Sequence, residues 1–256
     1  MPIITLTTDL GHQDFYVAKL KAALMKRIRD VKILDVTHAI ANHDIQQAAF
    51  FLKNVWTDLP KGSIHIVSVY THYTRYNKYI IFEYQGHYFI GPNNGIFSLL
   101  LEDMPQQEVH QIDYPEGVQN LFELYAHGAA CIATETPLTE IGKEKIPLEK
   151  KISILPVHTS NEIRATIIHV DHFGNVVLNV TENFFEHIRK NREFEIYFKH
   201  NDPITSISAG YSDVAVGEVL ASFNILGHLE IAINMGNASS MLDLYKNETL
   251  QIYFKD

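Results

Sequence analysis

The chain has one cysteine, Cys131, in 256 residues, so no intrachain disulfide can form and a reducing compartment is expected. No apolar run approaches the ~20 residues that a membrane span needs. The opening stretch, MPIITLTTDLG, lacks the basic and apolar regions of a signal peptide. The expectation is a cytoplasmic protein with no membrane partner. Positive charge is scarce: 21 Lys and Arg stand against 30 Asp and Glu, a formal net charge of −9. That balance argues against nucleic acid as a partner, because binding to phosphates is driven by basic patches. The short basic clusters at 26–29 and 189–192 read as solvated helix faces. Also missing are a G-x-G-x-x-G after the first strand, a P-loop, an HExxH, a G-x-S-x-G and any Cys/His spacing for structural zinc. His38, His43 and Asp44 lie close together, but no second ligand pair accompanies them. They read as turn or pocket residues rather than as a metal site.

What is present is an ordinary globular composition, 46% hydrophobic and 20% charged, long enough for one large domain or two modest ones. Residues 2–8 read as a buried strand. A helix is expected over 14–29, with Tyr16, Leu20, Ala23, Leu24 and Ile28 at helical spacing and Asp14 as its cap. A strand over 31–36 and a helix over 44–54 follow, and Pro60-Lys61-Gly62 punctuates before the strand at 64–69. Strand–helix–strand–helix–strand implies a mainly parallel sheet covered by helices. Segments 79–84 and 87–90 around Gln85-Gly86 predict a hairpin. Short helices are expected at 96–101 and 126–135, and a linker over 143–156. Beyond it, extended runs at 164–170, 176–180, 193–198, 218–223, 228–232 and 250–254 predict a smaller, antiparallel, β-barrel-like domain. The expected organisation is an α/β domain over 1–150 and a β-barrel domain over 157–256.

Two features carry candidate chemistry on generic grounds. The stretch 64–77, IHIVSVYTHYTRYN, turns from an alternating strand into an aromatic, hydroxyl-rich loop. Loops at the carboxyl ends of parallel strands are where α/β proteins hold ligands. Asp9 follows the first strand at the same edge. It could accept hydrogen bonds from vicinal ribose hydroxyls, or cap the entry to the next helix.

Four segments go further in combination: Thr7-Thr8-Asp9-Leu10-Gly11, Gly91-Pro92-Asn93-Asn94-Gly95, Asp171-His172-Phe173-Gly174-Asn175, and Leu229-Glu230-Ile231-Ala232 with Gly236-Asn237-Ala238. Supporting them are Asp35-Val36-Thr37-His38 and the run Pro137-Leu138-Thr139-Glu140-Ile141-Gly142. Their order and spacing resemble the S-adenosylmethionine-dependent chlorinase/fluorinase and hydroxide adenosyltransferase family, nearly end to end. The resemblance implies an α/β domain joined to a β-barrel, assembled as a trimer with substrate between neighbouring subunits. The implied reaction is in-line displacement at the ribose C5′ of S-adenosylmethionine. Methionine leaves, and halide or a water-derived hydroxide attacks. It implies no metal and no cofactor beyond S-adenosylmethionine as substrate, because the sulfonium is already a good leaving group. The protein's share is positioning and desolvation.

By the same resemblance, Asp9 should hold the ribose hydroxyls and Asp171 the methionine ammonium. Asn175 should read polar edges of the ligand, Phe173 should pack on it and Tyr211 should stack on adenine. Asn237 and Ala238 should lie along the adenine edge, and Asn93, Asn94 and Tyr73 should also line the ligand. The departures fall on the nucleophile. The hydrolytic branch reads Asp-Pro-Gly-Val-Gly-Thr-x-Arg after the third strand and His-Gly-Arg-Asp later. Here Tyr70 stands for that Asp, Asn77 for the Arg and Asn120 for the His. A tyrosine of pKa ≈ 10 or an amide is no base near neutral pH. His72, Arg75 and His127 are the candidate replacements. Tyr70 also resembles the halogenase tyrosine, but Thr71-His72-Tyr73 is bulkier than the residues closing on halide there. Ile225 stands where a serine near the methionine carboxylate is usual. The expected function is S-adenosylmethionine hydrolysis to adenosine and methionine. Alternatives are a non-catalytic nucleoside-binding paralogue, halide-dependent transfer, or a different C5′-substituted nucleoside.

Overall fold

The computed structural model describes residues 2–71, 78–101, 108–199 and 202–255. The chain divides into two compact units, Met1–Ser153 and Ile154–Asp256. In the first, the order is β1 (Ile3–Thr8), α1 (Tyr16–Arg27), β2 (Lys32–Thr37), α2 (Ile45–Lys53), β3 (Ile64–Ser68), β4 (Tyr79–Tyr84), β5 (His87–Pro92), α3 (Ile96–Leu100), β6 (Glu108–Gln111), α4 (Leu121–Ala133), α5 (Leu138–Ile141) and β7 (Lys145–Pro147). The sheet runs β2-β1-β3-β5-β4-β6-β7. Helical crossovers make β1, β2 and β3 parallel, β5 runs parallel beside β3, and β4, β6 and β7 add antiparallel pairs.

β3 is buried along its whole length because both faces of the sheet are covered. Ile64 and Ile66 join a core with Leu20 and Leu24 of α1 and Leu124 and Ala129 of α4. Val67 and Val69 point the other way, to Ala48 and Leu52 of α2 and Phe97 of α3. Alternation therefore leaves His65 inside as well. It meets Thr5 Oγ1 at 2.8 Å and His87 Nδ1 at 3.1 Å, and burial first, then His87, pushes its pKa down to about 3. The β4–β5 hairpin turns on Gln85 and Gly86, both at positive φ (52° and 83°), the backbone that a tight two-residue hairpin needs.

Several boundaries differ from expectation. α1 starts at Tyr16 with Phe15 at its cap position, so Asp14 is not the cap. Asp44 does cap α2, accepting from the Gln47 N–H at 2.9 Å. α4 begins at Leu121 rather than 126, because the Asn120 side chain accepts from the Glu123 N–H and starts the helix there. The stretch expected as linker contains β7, paired to β6.

The second unit comprises β8 (Val157–His158), β9 (Glu162–Val170), β10 (Val176–Thr181), α6 (Glu182–Arg189), β11 (Phe194–Tyr197), β12 (Val219–Phe223), β13 (His228–Ile233), α7 (Ala238–Leu242) and β14 (Thr249–Phe254). Its sheet runs β11-β14-β9-β10-β13-β12, with β8 beside β9, and every pair is antiparallel. β9 pairs with β14 along its first half and with β10 along its second, which curls the sheet into a half-barrel. Ile163, Ala165 and Ile167 face the resulting core. α6 supplies Phe185, whose ring meets Phe194, Phe223 and Phe254 edge-on. Among the described residues no helix is long and apolar enough to cross a membrane.

Candidate functional site

The carboxyl ends of β1 and β3 meet at Asp9. Its Oδ2 accepts from two backbone N–H groups, Tyr70 at 3.0 Å and His43 at 3.2 Å, while its own N–H donates to Ser68 O at 3.3 Å. Three strand-end loops are thereby gathered on one carboxylate. Among the described residues no hydrogen bond reaches Oδ1, which leaves one oxygen for a ligand hydroxyl. Tyr70 has φ 54°, a left-handed backbone that costs a side-chain-bearing residue on the order of 1 kcal/mol. Its N–H bond to Asp9 holds that turn, and its ring lies 5.0 Å from His43.

Beside Asp9 a polar chain runs from Thr8 Oγ1 to His38 Nδ1 (2.8 Å), with His38 Nε2 3.1 Å from Asp35 Oδ1 and Lys21 on the other oxygen of Asp35. Burial lowers the His38 pKa despite the pull of Asp35. For Asp35, hydrogen bonds from Lys21 and His38 outweigh the opposing effect of burial, and its pKa falls. His38 and Asp44 thus have structural partners. Among the described residues no group of three His, Cys, Asp or Glu side chains converges as a metal site.

Other expected residues of this unit are occupied with the fold. Asn94 donates to Val69 O at 3.1 Å and accepts from the Ile96 N–H, fixing the backbone just ahead of Tyr70. Asn93 clasps Pro147 O and the Glu149 N–H, securing β7. Asn120 is the α4 cap, so its amide oxygen is held by the helix rather than presented as a base. His127 lies about two turns further along α4, beside Cys131 Sγ. Burial first, then Arg27, lowers its pKa. Tyr125 on the same helix is completely buried, and burial raises its pKa well above the ordinary value, which keeps its hydroxyl protonated. His72, Tyr73, Arg75 and Asn77 lie outside the described residues.

In the second unit the expected residues do come together. After β9, Asp171 Oδ1 accepts from the N–H groups of Phe173 (2.9 Å) and Asn175 (2.8 Å), and Oδ2 accepts from Asn175 Nδ2 at 3.0 Å. Asn175 Nδ2 also reaches Tyr211 Oη at 3.4 Å. Gly174 is at φ 87°, and a Cβ there would lie 2.2 Å from Asn237 Cγ, so only glycine lets the loop press onto the start of α7. Ser239 N–H bonds Gly174 O at 2.8 Å, and Asn237 caps α7 through the Ser240 N–H. Phe173 is 72% exposed and Tyr211 48%, apolar surface left open beside this polar cluster, while Ala238 is buried. Ile225 is fully exposed.

Sequence reasoning missed Glu230. It sits on β13 between Leu229 and Ile231, on the face away from the core, yet is only 4% exposed. Tyr211 Oη donates to Oε1 at 2.9 Å and Asn224 Nδ2 to Oε2 at 3.3 Å. Burial raises the Glu230 pKa against the effect of those two bonds, with Asp171 adding to the rise. Burial and Glu230 together push Tyr211 up to about 12. The available signal was a charged residue within the alternating run Leu229-Glu230-Ile231, but its burial depends on partners from separate segments.

Fold and candidate sites together define the class: a mixed, mostly parallel α/β unit with a strand-end carboxylate, followed by a curled antiparallel unit with a second acidic, aromatic cluster. Residues 4–142 match the SAM hydroxide adenosyltransferase N-terminal domain and residues 165–251 the C-terminal domain, so the chain belongs to that family. It is similar to the (R)-S-adenosyl-L-methionine hydrolase of Methanocaldococcus jannaschii, 26% identical across 99% of this chain and 97% of the other. It is also similar to the fluorinase of Actinopolyspora mzabensis, 21% identical across 98% and 97%. An uncharacterized conserved protein from Thermotoga maritima shares the fold, with a TM-score of 0.85 at 24% identity over 98% of this chain and 100% of that one.

Proposed function

We propose that this protein binds S-adenosylmethionine and displaces methionine at ribose C5′ with water, giving adenosine and methionine. The observation that carries the reading is Asp9: a carboxylate fixed at the strand ends by two backbone donors, with one oxygen left for the ribose hydroxyls. The hydrolases among the relatives support the reaction. In this reading the first unit supplies the nucleoside site and the second completes it. Asp171 takes the methionine ammonium, Asn175 the polar edges, and Phe173, Tyr211, Asn237 and Ala238 the adenine. Asn93, Asn94 and Tyr73 are assigned to the same ligand. The sites form in a cytoplasmic homotrimer, between subunits, with no cofactor besides the substrate and no nucleic acid or membrane partner.

Three placements favour a second reading, a nucleoside-binding paralogue without nucleophile activation. Asn120 is engaged as a helix cap, His127 packs beside Cys131, and Tyr70 offers its N–H to Asp9 where the hydrolytic branch has an aspartate. In the hydrolytic reading, water activation is left to His72 or Arg75. The deciding experiment incubates purified protein with S-adenosylmethionine, with and without chloride. Adenosine, 5′-chloro-adenosine and methionine are followed by mass spectrometry. Adenosine and methionine in equal amounts, independent of chloride, are expected. Bound but intact S-adenosylmethionine selects the paralogue, and 5′-chloro-adenosine selects halide transfer.

A further inference from the structure

At the opposite, amino-terminal edge of the parallel strands lies a groove of about 730 Å³, within the range of small-molecule sites. The six residues of β1, at about 3.3 Å each, put this groove roughly 20 Å from Asp9. Arg27, Arg29, Lys32 and Lys61 line it against one carboxylate, Glu135. That is a local excess of cations in a chain of formal charge −9.

Arg29 has an ion-pair partner, Asp30, at 3.6 Å. Among the described residues Arg27, Lys32 and Lys61 have none. A helix macrodipole explains a basic residue in the last turn of α1, and so accounts for Arg27. It does not account for Lys32, which opens β2, or for Lys61, which comes from the turn before β3. The Lys61 stem lies over Gly86, where an added Cβ would come within 3.1 Å of it. Ile3, Ile28 and Ile132 give the groove an apolar wall and Tyr88 an aromatic one.

Cations gathered from three segments around one cavity repel each other until an anion sits between them. Their spread suits a ligand with several charges better than a single carboxylate. The apolar and aromatic walls suit a compact metabolite better than a nucleic-acid strand. We infer that this groove is a second ligand site, for a small molecule bearing a polyphosphate group.

The test is calorimetric titration of the full chain at fixed ionic strength with inorganic tripolyphosphate, ATP and adenosine, repeated on the K32E/K61E double variant. Folding of the variant is checked by circular dichroism. Expected is saturable binding of both phosphate probes by the wild type and at least a tenfold weaker affinity in the variant, with adenosine binding unchanged. Equal affinity for the two phosphate probes identifies the phosphate chain as the ligand. Tighter ATP binding, lost in the variant, shows that the walls read the nucleoside as well. The inference is overturned if neither phosphate probe saturates the wild type. It is also overturned if the variant binds them as tightly, which would place ATP at the Asp9 site.

Discussion

Asp9 and Asp171 each follow a strand and each hold backbone N–H groups on a carboxylate, but they do different work. Asp9 takes its donors from His43 and Tyr70, residues far along the chain, and so joins loops after three strands of one sheet. Asp171 takes its donors from Phe173 and Asn175 in its own loop. The first is a tertiary fastening that leaves one oxygen unbonded among the described residues; the second shapes a short turn and uses both oxygens. An acidic residue at a strand end is thus not one kind of object. Its reach in sequence decides whether losing it disturbs a sheet edge or a single loop.

The contrast breaks most visibly at Asp9. Asp9→Ala should remove nucleoside binding and destabilise the first unit by about 2–4 kcal/mol, since it strands two backbone donors and releases the loops after three strands from one another. Asp171→Ala should cost about 1–2 kcal/mol, with faster amide exchange confined to 171–175. Isothermal titration and hydrogen exchange on both variants check this, and equal, local effects would erase the distinction.

Glu230 offers a third carboxylate, and a smaller effect. Its folded-state pKa is raised, by burial first, so the folded state takes up a proton more readily than the unfolded one. The associated stability is fully present below the ordinary glutamate value and is lost as pH rises through the raised value. Glu230→Gln removes that slope. Denaturant melts at several pH values should show the variant gaining on the wild type as pH rises; a constant gap would refute the assignment. Smallest of all, Asn120→Ala should cost about 1 kcal/mol as a lost helix cap. If the cap is its whole role, turnover of S-adenosylmethionine is unchanged. A collapse of turnover with intact stability would restore Asn120 to the chemistry.

The layered α/β unit was legible because its signals are local. The alternating run at 64–69, Gln85-Gly86 in the hairpin and Asp44 at the head of α2 each specify their element without distant help. β6 and β7 were not legible, being short strands, β7 at the sheet edge, whose partners lie elsewhere in the chain. The start of α4 was obscured because Asn120 drew attention as a site position when its side chain serves the helix. At the candidate site, the strand-end position of Asp9 could be read, but not that His43 and Tyr70 would present their N–H groups to it. Glu230 was hidden for the same reason: Tyr211 and Asn224 come from segments that only folding brings to it.

The divided pairing of β9 bears on the order of folding. Ala165 is bonded beside Leu250 of β14, while His169 lies beside Val177 of β10. The β10 half can zip up early, across a short turn. The β14 half waits for a strand that comes later than every other element of the unit. Domains generally acquire structure from the amino-terminal side as they are synthesised, and long-range strand pairing is the slow part. Until β14 arrives, Ile163 and Ala165 have no closed core to enter. A nascent chain stopped before residue 249 should therefore carry a finished first unit and an open, protease-sensitive second one.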